Sequence, residues 1–461
     1  MIPPDPLEGI GIAGFAHALR AGRTSAEANA DAYLRRIDAL DDRLGAFETV
    51  AADTALGAAR AVDRLLGCGI DLGPLMGVPV AVKDIVAVDG LPTRAGSNVD
   101  VSDLIGAEGG FVRMLKRAGC VILGKTKTVE FAMGGTGIGY SRGTPWNPCD
   151  ALIHRIPGGS SSGSGVATAA GLCGFAVGSD TGGSVRTPAA HCGVFGLKTT
   201  KDLWPTDGVF PLSRTFDTLG LLTRSAADAA VAFAALQGEA EPQPAMVRGL
   251  RLGRPAGHFF DHVDGEVAAC IRRAMNAITR AGADIVEIEI PEAARVWPEL
   301  HAFIATELVA ELGGRYGFEA KRAMMDPDVA ARTEPGRDVP ADAYVRLRKR
   351  HHVLRRIADK RMAGLDGWIA PTVPYSPRPV ADFDDAALAD RLVSVTSANT
   401  RIGNFFGLCA VSIPVHHLGS RLPVGLQILC PGGADARLLA IARALEAVIG
   451  TPPGPDLTGF L

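Results

Sequence analysis

The sequence predicts an α/β fold: one large domain, residues 1–461, on a central mixed, mostly parallel β-sheet with helices on both faces. Three observations carry that prediction. Short strand-like runs alternate with helical stripes in a βαβ pattern, whose right-handed crossovers build a largely parallel sheet. Apolar runs such as 78–82 read as buried strands, as in a sheet covered on both faces. No repeat or low-complexity linker interrupts the 461 residues, although length alone, at about 150 residues per domain, allows roughly three domains.

The elements follow in order. Residues 1–76 read as mainly helical: Thr24 and Glu27 have capping-box spacing, and Ala30, Leu34, Ile37 and Leu40 share the helix face that follows. From residue 77 the texture changes, with a strand at 78–82. A helix face of Phe111, Val112, Leu115 and Ala118 comes next, Gly119 ends it, and a strand follows at 121–123. The small-residue run 166–177 reads as a buried helix. Farther on, 250–252 is a strand; Val267, Cys270, Ile271, Ala274 and Ile278 form a helix stripe ending before Gly282; 285–290 alternates as a strand should. Residues 239–246 read as a loop. Strands at 411–415 and 424–429 flank a turn at 416–421. A closing helix with Leu438, Ile441, Ala442, Leu445 and Val448 on one side stops at Gly450 and Pro452.

Composition excludes several functions. The chain is 47% hydrophobic and 21% charged, with a formal net charge of −3, which speaks against a general nucleic-acid or membrane-surface binder. The N-terminus lacks the basic and apolar regions of a signal peptide. The run 166–177 is far short of the ~20 residues of a spanning helix. The eight cysteines are scattered without a C-x-x-C pair and read as small buried hydrophobes. A soluble, cytoplasmic protein is expected, with no metal site, no cofactor, a small amide-like substrate as its partner, and a homodimer left open.

Candidate chemistry gathers in three pieces. Residues 157–165 and 178–188 crowd hydroxyls among glycines, and 77–84 puts Lys83 at the end of an apolar strand. A serine needs a base to become a nucleophile. His191, seven positions after Ser184, has no supporting motif and reads as a packed histidine. Lys83 serves as a base if burial drops its pKa from about 10.4 toward neutrality; the alternatives are a snorkelling lysine or a pair with Asp84. Gly182 and Gly183, just before Ser184, let successive N–H groups converge where an acyl oxygen becomes negative; a tight turn is the plainer alternative. A phosphate loop at 157–165 is disfavoured, because the form G-x-x-x-x-G-K-[ST] is absent.

Taken together these residues resemble the amidase signature family, the Ser-cisSer-Lys hydrolases. The resemblance is dense over 77–222 and weaker at 369–372 and 422–427; Ser160 and Ser184 stand 24 positions apart (184 − 160), the family's spacing. It implies that Ser184 is the acyl-forming nucleophile, Ser160 the relay hydroxyl after a cis bond from Gly159, and Lys83 the terminal base. The N–H groups of Thr181, Gly182, Gly183 and Ser184 would form the oxyanion hole, with Ser161, Asp180 and Arg186 bracing the loops. The chain departs from the family's common forms at Ser179, Val185 and Ile85. The implied activity is hydrolysis of carboxamide C–N bonds without metal or cofactor, fastest at alkaline pH, where the lysine is deprotonated.

Specificity is not legible in these motifs. In relatives, the segment equivalent to 130–134 borders the acyl pocket, which makes Met133 a candidate lining residue. Residues 297–375 show little resemblance and are the candidate substrate entrance. Aryl acylamides, esters and carbamates or urethanes are further candidate substrates. Two other readings stand beside this one. A glutaminase-type component of a tRNA-dependent amidotransferase shares the 131–134 and 178–186 motifs. An anionic-partner binding module would use the basic run 346–356, although Tyr344, Leu347, His351, Leu354 and Ala358 fit one packed helix face.

Overall fold

The computed structural model describes residues 2–461. Eleven strands form one sheet: β1 (Phe47–Val50), β2 (Pro79–Lys83), β3 (Val121–Thr126), β4 (Phe175–Ser179), β5 (Phe195–Lys198), β6 (Leu219–Thr223), β7 (Arg251–Pro255), β8 (Asp284–Ile288), β9 (Gly367–Pro371), β10 (Cys409–Pro414) and β11 (Gly425–Cys430). Their spatial order is β1-β3-β2-β4-β6-β5-β10-β11-β9-β7-β8. Every residue of β2–β6 and β9–β11 is buried. Successive side chains on a strand point to opposite faces, so burial at every position means that both faces are covered.

The expected mixed α/β sheet is present, and its parallel ladders lie in two wings. One wing pairs β2 with β3 and β4, and the other pairs β7 with β8 and β9. Between the wings the successive pairs β4–β6, β6–β5, β5–β10, β10–β11 and β11–β9 are antiparallel. The short link between β10 and β11 dictates this locally, because a parallel pair needs a crossover of a dozen or more residues. The edge strands β1 and β8 are only partly buried.

Several boundaries differ from expectation. The cap of helix Ala26–Leu44 is Ser25, whose side chain accepts from Ala28 N–H, and not Thr24; the hydroxyl must sit immediately before the first helical residue to reach that donor. The N-terminal part also contributes β1, which caps the sheet edge antiparallel to β3. The run 166–177 is not one helix. Helix Ser162–Ala169 ends where Gly171 takes φ +64°, and the chain re-enters the sheet as β4. Among the described residues, no helix is long and apolar enough to cross a membrane.

This topology sets the C-terminal ends of β2 and β4 side by side, with Val82 opposite Val177. That is the end of a parallel sheet where ligands bind. Phe175 anchors β4 and is fully buried. Phe175→Ala is expected to cost about 3–5 kcal/mol, read by urea unfolding; a loss below about 1 kcal/mol would show that this wing tolerates the cavity.

Candidate active site

Lys83 is the last residue of β2, and Ser179 is the last of the adjacent β4. The Lys83 ammonium nitrogen donates to Ser160 Oγ at 2.7 Å and to Ser179 Oγ at 2.9 Å, and the side chain is wholly buried. The alternative pairing with Asp84 is not found: Asp84 instead takes the buried Lys125 Nζ at 3.0 Å. Lys83 is left with two hydroxyls and no carboxylate in contact. Burial lowers its pKa to about 7, against the smaller opposing pull of Asp180 and Asp217. The snorkelling alternative fails as well, since the ammonium never reaches water.

The Gly159–Ser160 peptide bond is cis. A Cβ on Gly159 would stand 2.6 Å from Gly134 O and 2.7 Å from Gly137 N, so only glycine lets the two segments approach. Ser161 ties the two serine loops together: its N–H donates to Ser184 O at 3.2 Å, and its Oγ both donates to Ser179 O and accepts from Ser179 N–H at 3.3 Å.

Asp180 shapes the loop that carries Ser184. Its carboxylate accepts from Gly183 N–H (2.8 Å), Val185 N–H (3.2 Å), Arg186 Nε (3.0 Å) and Nη2 (2.9 Å), and Asn404 Nδ2 (2.8 Å). Burial pushes its pKa up, yet the Arg186 charge and hydrogen bonds, with smaller help from Lys198 and Asn404, hold it at about 2. Arg186 is fully buried and also donates to Gln427 Oε1 and Asn404 Oδ1, each at 2.6 Å.

One of the four expected cradle donors is thereby diverted. Gly183 N–H faces Asp180, while the N–H groups of Thr181, Gly182 and Ser184 donate to no group of the chain among the described residues. Gly183 has φ +132°, and a Cβ there would collide with Thr400 Oγ1, so the turn is closed to any larger residue. Asp217 accepts the Thr181 hydroxyl at 2.6 Å, and Thr400 Oγ1 donates to Gly182 O at 2.9 Å. The Ser160 and Ser184 hydroxyls do not hydrogen-bond to each other here. Contacts of this kind commonly tighten only when substrate arrives.

The other sequence candidates fall outside this cluster. His191 is buried and held neutral by burial, with a pKa of about 4, and its Nε2 meets Tyr375 O at 3.3 Å. Met133 is buried, and its sulfur accepts from Thr333 Oγ1 at 3.4 Å. The basic run lies in helix Ala341–Met362, which buries Leu354, Ala358 and Met362 and leaves most of its charges solvated. Sequence reasoning missed Asp217, Thr400 and Asn404, which reach the site from distant segments. Ser179 had a visible signal, a hydroxyl at the end of a strand beside that of Lys83.

A model of the Amidase family matches residues 28–439. The chain is 40% identical to 2-amino-5-chloromuconic acid deaminase of Comamonas testosteroni, over 96% of each protein. It is 34% identical to a glutamyl-tRNA(Gln) amidotransferase component from Salinispora arenicola, over 97% of this chain and 99% of that one. The peptide amidase of Stenotrophomonas maltophilia superposes with a TM-score of 0.82 at 28% identity, covering 99% of this chain and all of that one.

Replacing Arg186 tests the loop's support. Arg186→Met leaves the Asp180 charge buried and unpaired and is expected to cost about 3–5 kcal/mol in urea unfolding. Arg186→Lys should not restore it, because one ammonium cannot span Asp180, Asn404 and Gln427 together. Wild-type stability in either variant would show that the loop is held by other contacts.

Proposed function

Because the chain belongs to the amidase family, whose members hydrolyse C–N bonds, we propose that it cleaves carboxamides to a carboxylate and an amine or ammonia through an acyl-enzyme on Ser184. The observation that carries this reading is the buried Lys83 Nζ, 2.7 Å from Ser160 Oγ and free of any carboxylate partner. A neutral amine there is a base. It takes the Ser160 proton as Ser160 takes that of Ser184. The Ser184 oxygen then bonds to the amide carbon, and the carbonyl electrons move onto oxygen, cradled by the Thr181, Gly182 and Ser184 N–H groups. When that oxyanion collapses, the C–N bond breaks and the relay returns a proton to the departing nitrogen. Water repeats the sequence on the ester, releasing the acid and restoring Ser184.

Met133 and residues 297–375 form the proposed substrate-facing side, with Thr333 joining the two. The name of the 40% identical deaminase supports ammonia as a leaving group. Aryl acylamides, esters and carbamates remain within the proposed range. Likeness to the amidotransferase component supports a second reading, a glutaminase that works within a larger assembly. Glutamine cleavage that requires partner proteins favours it, whereas unaided cleavage of a simple anilide sets it aside.

Two measurements test the proposal. On a panel of anilides, primary amides and aryl carbamates, Ser184→Ala is expected to fall to background with an unchanged circular dichroism spectrum; full activity in that variant refutes the nucleophile. The base must be deprotonated, and the Lys83 pKa is lowered to about 7. The wild-type kcat/KM is therefore expected to rise about tenfold per pH unit below 7 and to level off above it. A rate constant across pH 6 to 10 removes Lys83 from the role.

A further inference from the structure

The buried cations of this protein have partners, with one exception beside the nucleophile loop. Lys125 has Asp84, Arg186 has Asp180, and Lys198 donates to the carbonyls of Thr199 and Leu408. Arg401 is only 6% exposed, yet among the described residues its guanidinium donates to no oxygen and has no carboxylate in ion-pair range. It lies 3.5 Å above the centre of the Trp297 ring. The Tyr375 hydroxyl, a potential neighbour, is engaged with Thr396 and Leu392 O. Burial first, and the Arg332 charge second, pull the Arg401 pKa down to about 9. A desolvated guanidinium with a second cation nearby and no acid is costly to hold. That cost is offset when a ligand brings the acid.

Its place points to the ligand. Thr400 fixes the Gly182 carbonyl, and a Cβ on Gly182 would stand 3.9 Å from Arg401 Cγ. Arg332 approaches from the other side: a Cβ on Gly134 would stand 3.7 Å from its Nη1, and the next residue, Gly135, accepts Gly159 N–H through its carbonyl. The Arg401 side chain thus lies against the loop carrying Ser184, and the Arg332 guanidinium, itself 3.7 Å from Asp328 Oδ2, lies against the segment that holds Gly159. We propose that Arg401, seconded by Arg332, binds a carboxylate carried by the substrate, so that the preferred substrates are amides bearing a free acid and not neutral amides. The inference rests on the amide-hydrolase reading and adds its substrate class. Trp297 covers one side of the guanidinium, and a guanidinium so stacked can still take a carboxylate in bidentate fashion through its N–H groups.

The experiment uses matched pairs, succinamate against butyramide and glutaramate against valeramide, with wild type, Arg401→Met and Arg401→Lys. Wild type should favour the acid-bearing member about 10–100-fold in kcat/KM. That ratio should collapse toward one in Arg401→Met and be partly retained in Arg401→Lys. Equal rates within each pair for wild type, or an unchanged ratio in Arg401→Met, overturn the proposal. A readout without turnover separates it from the hydrolase reading: succinate and glutarate should raise the Tm of Ser184→Ala but not of Ser184→Ala/Arg401→Met. Absence of that difference also counts against the carboxylate site. Arg401-dependent binding without amide cleavage keeps the inference and removes the hydrolase reading; equal cleavage of succinamate and butyramide does the reverse.

Discussion

The Asp180 carboxylate is the constraint on which the site depends. A buried charge survives only when it is paired and hydrogen-bonded, and Asp180 satisfies that demand by drawing in three backbone N–H groups, those of Gly183, Val185 and Arg186, with the Arg186 fork and the Asn404 amide. The same contacts bend residues 181–184 into their turn. The loop's conformation is therefore a by-product of neutralising one ion. Arg186 carries the constraint onward to Gln427 on β11, so the turn is braced against the centre of the sheet and not against another loop.

The electrostatics of Lys83 follow from that pairing. Asp180 pulls toward a protonated lysine, but its charge is largely answered by Arg186. Asp217, also buried, has its own pKa raised to about 7 by desolvation, so near neutrality it supplies only part of a negative charge. Desolvation consequently prevails at Lys83. Asp84 points the same way: it takes Lys125, and two adjacent residues of one motif serve separate partners.

Much of this was legible in the sequence, because the informative signals were local. Glycines crowded around serines mark turns that need their freedom, and an apolar strand ending in lysine marks a cation driven into a covered sheet. The Gly159 and Gly183 contacts give those signals their steric meaning. Signals that depend on long-range pairing were not legible. Nothing near Thr400, Arg401 or Asn404 announces that the helix Thr400–Phe405 lies over the loop carrying Ser184, and nothing near Asp217 announces its bond to Thr181. The split of 166–177 into helix and strand was hidden for a different reason: a run of small apolar residues suits either state, and the glycine at 171 decides between them. The diversion of Gly183 N–H to Asp180 likewise depended on a side chain's direction, which spacing does not encode.

The wiring of Arg186 also orders events during synthesis. Asn404 lies 224 residues beyond Asp180, and Gln427 lies 241 beyond Arg186. An N-terminal portion that has already left the ribosome with both serines and the lysine still lacks the amides that complete the loop's bonding. Such long sequence separations delay closure until the distant strands have been made. The nascent chain thus carries Lys83, Ser160 and Ser184 well before it owns the scaffold that aligns them, and maturation of the loop waits for the final fifth of the polypeptide.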